Sequence, residues 1–141
     1  MKNLLLSLST MILISACSTS PVAPSEAKNI PENRVYKTEF NDGSDTTLLA
    51  TVVFARDSGF LGSACVRDLT VNGEKAFSIK PGEAITLNMS AGEYLLLMET
   101  RLGSPCPNER ESKEIILRAG EERLYRFSTA SNFDSAWTRE R

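Results

Sequence analysis

The chain has 141 residues, 41% of them apolar, enough for one domain with one core. Its 18 acidic against 16 basic residues leave a formal charge of −2, which argues against nucleic acid or anionic lipid as a partner. There is no histidine, so the commonest general base, the commonest metal ligand and the His-activated Ser and Cys nucleophiles are excluded.

Lys2 precedes an apolar run from Leu4 to Ile14, broken by Ser7, Ser9 and Thr10 and followed by Ser15-Ala16-Cys17. A charged start, a short apolar stretch and small residues before a cleavage point make a secretory leader. The run is shorter than the ~20 apolar residues of a spanning helix. Ile14-Ser15-Ala16-Cys17 resembles the lipobox of bacterial lipoproteins. That resemblance implies a leader over 1–16, cleavage before Cys17, diacylglycerol on the Cys17 thiol and acylation of the new amino terminus. The first expected partner is therefore a membrane, reached through the lipid anchor, and two or three acyl chains hold where one is marginal. Ser18, rather than Asp, follows the cysteine, which by the enteric sorting rule implies the periplasmic face of the outer membrane. Residues 17–33 are rich in Ser, Pro and Ala, with Pro21, Pro24 and Pro31, and lack apolar periodicity. They read as a flexible tether. At roughly 3 Å per residue it would either hold the domain about 50 Å from the membrane or act as a linker with no reach requirement.

Residues 34–141 read as an all-β domain, a single antiparallel β-sandwich of about seven strands. Residues 34–40, with Val35, Tyr36 and Phe40, suit an edge strand. Asn41-Asp42-Gly43-Ser44-Asp45 is a turn cluster without the twelve-residue calcium-loop pattern, hence a solvated turn. Residues 47–56 carry apolar side chains on both faces and predict a central strand. Residues 65–72 alternate, with Leu69 and Val71 inward and Arg67 reaching water from the strand's end. Asn72-Gly73 signals a type I′ hairpin, whose two central residues both need positive φ.

Phe77 and Ile79 mark the returning strand, Ile85, Leu87 and Met89 the next, and 94–99 a further central one. Residues 101–112 form a long loop. Residues 114–118 and 123–128 predict a last hairpin around Ala119-Gly120-Glu121. Residues 129–141, with Phe133 and Trp137, suit a short helix or an ordered tail.

Beyond Cys17 there are two cysteines, in matching contexts: Gly62-Ser63-Ala64-Cys65 and Gly103-Ser104-Pro105-Cys106. An even pair in an oxidising compartment reads as a disulfide, worth about 4 kcal/mol for a loop of this length. A redox or metal pair would call for Cys-x-x-Cys spacing or histidine, and neither is present. Gly-Glu recurs at Gly73-Glu74, Gly82-Glu83, Gly92-Glu93 and Gly120-Glu121, each before a predicted strand. Val71-Asn72-Gly73, Pro81-Gly82-Glu83 and Ala91-Gly92-Glu93-Tyr94-Leu95-Leu96 resemble the repeating hairpins of PEGA-type and carboxypeptidase-regulatory-like β-sandwiches. Leu117-Arg118-Ala119-Gly120-Glu121 with Tyr125-Arg126-Phe127 resembles the close of a family of small bacterial envelope lipoproteins. Over roughly 47–128 the resemblance implies an envelope β-sandwich with no known enzyme activity.

A Cys65–Cys106 bridge would bring two loops together, since bridged Cα atoms lie within about 7 Å. Phe60, Leu61, Arg101 and Leu102 then form a candidate binding surface. The alternative is that Phe60 and Leu61 plug the end of the core. Ser58, Ser63 and Ser104 lie in Gly-containing loops with no base placed near them, and a compact sandwich offers little cleft for paired carboxylates. No catalytic residue, cofactor or metal is expected. The expected role is a lipid-anchored, non-enzymatic binding or assembly module with an envelope protein as partner. The alternatives are a periplasmic inhibitor of a lysozyme-type hydrolase and a secretion-system lipoprotein with a transthyretin-like fold.

Overall fold

The computed structural model describes residues 19–41, 49–59, 63–129 and 135–139; Cys17, the 42–48 turn, Phe60 and Leu61 lie outside them. The strands are β1 (Lys28–Asn29), β2 (Glu39–Phe40), β3 (Ala50–Arg56), β4 (Arg67–Val71), β5 (Glu74–Ile79), β6 (Glu83–Met89), β7 (Gly92–Thr100), β8 (Arg110–Leu117), β9 (Glu122–Thr129) and β10 (Ser135–Arg139). One sheet has the order β1-β6-β3-β9-β10, with β2 also on β6; the other has the order β5-β4-β7-β8. The fold is all-β and two-sheeted, as the alternating sequence predicts. The first sheet is mixed, however: β3 pairs antiparallel with β6 but parallel with β9, and β1 and β2 are both parallel to β6.

The expected centres are β3, between β6 and β9, and β7, between β4 and β8. Alternation sends Val52 and Phe54 of β3 inward with Leu87 and Met89 of β6 and Tyr125 and Phe127 of β9. Opposite them lie Leu69, Val71, Phe77, Ile79, Leu96 and Met98. Phe54 is fully buried, and its ring centroid lies 5.5 Å from Phe77, 5.6 Å from Tyr125 and 6.0 Å from Phe127. The β4–β5 hairpin turns on Asn72 (φ 48°) and Gly73 (φ 84°), the two positive-φ residues a type I′ turn requires.

One expectation fails in the last third of the chain. β8 and β9 are not a hairpin: β8 pairs with β7 and β9 with β3, so the turn at Gly120 (φ 67°) carries the chain from one sheet to the other. Both strands bury apolar residues on one face, Ile115 and Leu117 against Tyr125 and Phe127. That pattern suits strands facing across a core as well as strands side by side. Of the two expectations for the tail, Ser135–Arg139 matches the ordered one and not the helix: it forms β10, antiparallel to β9.

The segment expected to be a flexible tether is docked. Ser20 forms an antiparallel bridge with Ser58, and β1 lies on β6. Ile30 enters the core, and a 3₁₀ turn spans Glu32–Arg34. The expected edge strand over 34–40 is instead a strap. Val35 bridges to Phe77, Tyr36 and Lys37 both donate to the Ala76 carbonyl (2.8 and 3.0 Å), and β2 returns to the far end of β6. Arg34 fastens the strap with a two-pronged pair to Glu83, Nη1 to Oε2 at 2.8 Å and Nη2 to Oε1 at 2.5 Å. Hydrogen bonding to Glu83 raises the Arg34 guanidinium above its ordinary pKa, so Arg34 stays charged throughout the neutral range. The amides of Tyr36 and Lys37 should therefore exchange with solvent about 100-fold more slowly than in a free peptide. Free-peptide rates at both, measured by NMR hydrogen exchange, would mean an undocked strap.

Candidate functional site

The ends of β3, β5, β7 and β9 and the starts of β4, β6 and β8 gather at one pole of the sandwich. Cys65 and Cys106 are bonded there, with Cα atoms 5.6 Å apart across 41 residues of chain. The bridge ties the segment entering β4 to the loop between β7 and β8. The Arg101 amide donates to the Val66 carbonyl at 2.9 Å. Thr100 Oγ1 donates to the Pro107 carbonyl at 2.8 Å.

Of the candidate surface, Arg101 and Leu102 stand together at this pole. Ser104 N donates to the Arg101 carbonyl at 3.0 Å, and Gly103 has φ 81°. That is the third position of a four-residue turn, where a type II turn demands positive φ. Leu102 is thereby held at the tip and is 93% exposed. Beside it runs a groove of about 470 Å³ whose walls include Asp68, Lys75, Glu99, Arg101 and Arg110. The Asp68 carboxylate is already engaged, accepting from Lys75 Nζ at 2.7 Å and Ser78 Oγ at 2.5 Å. The cationic donors Arg101 and Arg110 line the groove together with the Glu99 carboxylate and the neutral side chains of Thr70 and Asn108. Such a surface can hold an anion or a polar headgroup beside an apolar contact. Among the described residues no three Cys, Asp or Glu side chains are grouped to hold a metal ion.

Two arginines shape the pole from inside: Arg56, unremarked in the sequence, and Arg67, expected to reach water. Arg56 and Arg67 keep the inward phase of their strands, in step with Phe54 and with Leu69, and are only 3% and 7% exposed. Arg56 Nη1 donates to the Cys65 carbonyl at 2.6 Å and to the Ile79 carbonyl at 3.1 Å. Burial, reinforced by Arg67 nearby, pushes its pKa down to about 10, still far enough above neutrality to keep the charge. Arg67 does not reach water as expected; it pairs with Glu109. The signal was the alternation itself, which puts both arginines on the core face. Polar tips at the core's end are tolerated because carbonyls and a carboxylate satisfy them.

On the outer face, Arg126 Nη1 donates to Asp57 Oδ1 at 2.7 Å and to the Val22 carbonyl at 2.8 Å. Ser20 N donates to the Ser58 carbonyl at 2.7 Å, and Ser58 N returns a bond of 3.1 Å. The amino-terminal segment thus leaves the domain at this same pole.

No family model, curated protein or solved structure matches the chain.

Replacing Cys65 and Cys106 together with Ala is expected to lower stability by about 4 kcal/mol in urea unfolding. A loss below about 1 kcal/mol would mean that the bridge constrains little. Arg56→Met strands the Cys65 and Ile79 carbonyls and is expected to cost about 2–4 kcal/mol in the same assay. Arg56→Lys should recover only part of that, because one ammonium replaces a planar fork.

Proposed function

We propose that this chain is a lipid-anchored, non-enzymatic binding or assembly module of the bacterial cell envelope, facing the periplasm from the outer membrane and making contact through its disulfide pole. The observation that carries the reading is Ile14-Ser15-Ala16-Cys17 behind a short apolar run. Thiol acylation at Cys17 accounts for a leader too short to span a bilayer. The pole adds support. Its turn and loop are bolted by the disulfide, it presents Arg101 and Leu102 outward, and the Asp68 carboxylate in its groove is occupied by Lys75 and Ser78. A surface stiffened before contact loses less entropy on binding.

The test is metabolic labelling with palmitate, followed by crosslinking in cells and mass spectrometry of the membrane fraction. The wild-type chain should carry label, sediment with membranes and yield a specific envelope neighbour. Cys17→Ala should lose all three. Label retained by Cys17→Ala, or absent from the wild type, would overturn the reading.

A further inference from the structure

The anchor and the disulfide pole are too close to be independent. Ser20 is hydrogen-bonded through its backbone to Ser58, and the Val22 carbonyl is gripped by Arg126, so the chain is fixed to the domain from these residues onward. Only three Cα–Cα steps separate Cys17 from Ser20. At 3.80 Å each, the two Cα atoms lie at most ~11 Å apart. The headgroup layer of one leaflet takes up about 5–8 Å of that distance, since the hydrocarbon core is about 30 Å thick in a bilayer of about 40–45 Å. Little more than a water layer is left between the headgroups and the pole.

What the pole presents suits that position. Leu102 stands at a rigid tip, 93% exposed. Arg101 is exposed next to it in the chain, Lys80 is exposed in the turn from β5 to β6 at the same pole, and Lys28 is exposed where its amide meets the Gly82 carbonyl. Three carboxylates of the pole are turned to internal partners: Asp57 to Arg126, Glu83 to Arg34 and Glu109 to Arg67. The groove beside Leu102 also holds Glu99, set among Lys75, Arg101 and Arg110, and the chain as a whole is mildly acidic.

We infer that the disulfide pole rests on the phospholipid surface that holds the Cys17 acyl chains, with Leu102 seated among the headgroups and Lys80 and Arg101 against lipid phosphates. The inference rests on lipidation of Cys17. It deepens the proposed function by naming the lipid surface as what the pole contacts, and it leaves the opposite pole and the sheet faces directed away from the membrane.

The experiment uses full-length lipidated protein in vesicles of phosphatidylethanolamine and phosphatidylglycerol that include lipids brominated near the top of the acyl chains. Trp137 is the one tryptophan, so Trp137→Phe gives a dark background. In that background Leu102→Trp should lose roughly half of its emission or more, as a side chain at the headgroup–acyl boundary does. Leu95→Trp is the control: Leu95 is half exposed on β7, and its amide bonds to Asn72 Oδ1 near the opposite pole. It should keep its emission. In protein shown by mass to carry acyl chains, absence of quenching at Leu102→Trp, or equal quenching at both positions, would overturn the inference. Protein without acyl chains fails the lipidation reading itself, and the inference falls with it.

Discussion

The ring of Phe54 is where the two sheets meet. It projects from the centre of the first sheet, stacks on Tyr125 and Phe127 of the neighbouring β9, and tilts against Phe77 of the opposite sheet. Burying one phenylalanine is worth about 3 kcal/mol, and each aromatic pair adds about 1 kcal/mol. The cluster depends on β9 lying parallel to β3, which puts Tyr125 directly beside Phe54 in register. Parallel neighbours cannot be joined by a tight turn, so β9 must arrive from the other sheet. The turn at Gly120 is that arrival. Thr51 N secures it by donating to the Glu121 carbonyl at 2.8 Å. The sheet-to-sheet connections follow from the need to bring these rings together.

A sandwich built this way has open sides, and the two sides are closed differently. On one, the strap from β1 to β2 runs over β6 and β5, the edge strands it would otherwise leave bare. On the other, Arg123 reaches from β9 to the Ile116 carbonyl of β8 while paired with Glu121, which, with Tyr125, raises its affinity for the proton. Lys113 of β8 lies 5.5 Å from the Tyr125 ring centroid. A charge turned inward from an edge strand discourages pairing with another chain, because continuing the sheet would bury it.

Much of this was legible in the residues. Asn72-Gly73 announced its hairpin because positive φ at both positions is a local demand. Leu69, Val71, Phe77 and Leu87 announced the core because strand alternation is local too. Cys65 and Cys106 sat in matching turn-rich contexts. What was not legible rests on interactions that side-chain pattern does not encode. The docking of residues 19–36 is largely backbone to backbone, Ser20 with Ser58 and Tyr36 with Ala76. Its side-chain anchors are few, chiefly Ile30 and Arg34. The sheet switch at Gly120 was hidden because inward faces look alike whether strands lie beside or opposite one another. Arg56 and Arg67 had the inward phase of their neighbours all along, and their charge outweighed that phase in the reading.

Ordering a segment costs about 1–2 kcal/mol per residue in backbone entropy, a cost a loose tether avoids. The segment from Ser20 to Phe40 is nevertheless held at both ends and in the middle. Burial of Ile30 and Phe40 and the Arg34–Glu83 pair offset that cost, and part of the return is closure of the sandwich edge. That does not account for Ser20 and Val22, which lie upstream of the strap and cover no edge strand. Their contacts do something else: they remove the slack between Cys17 and the domain. A free linker of sixteen residues would let the domain turn and drift, and no pole would be distinguished. Holding the chain at Ser58 and Arg126 leaves three Cα–Cα steps between Ser20 and Cys17, so under the proposed lipidation of Cys17 the membrane that holds the acyl chains would also orient the sandwich.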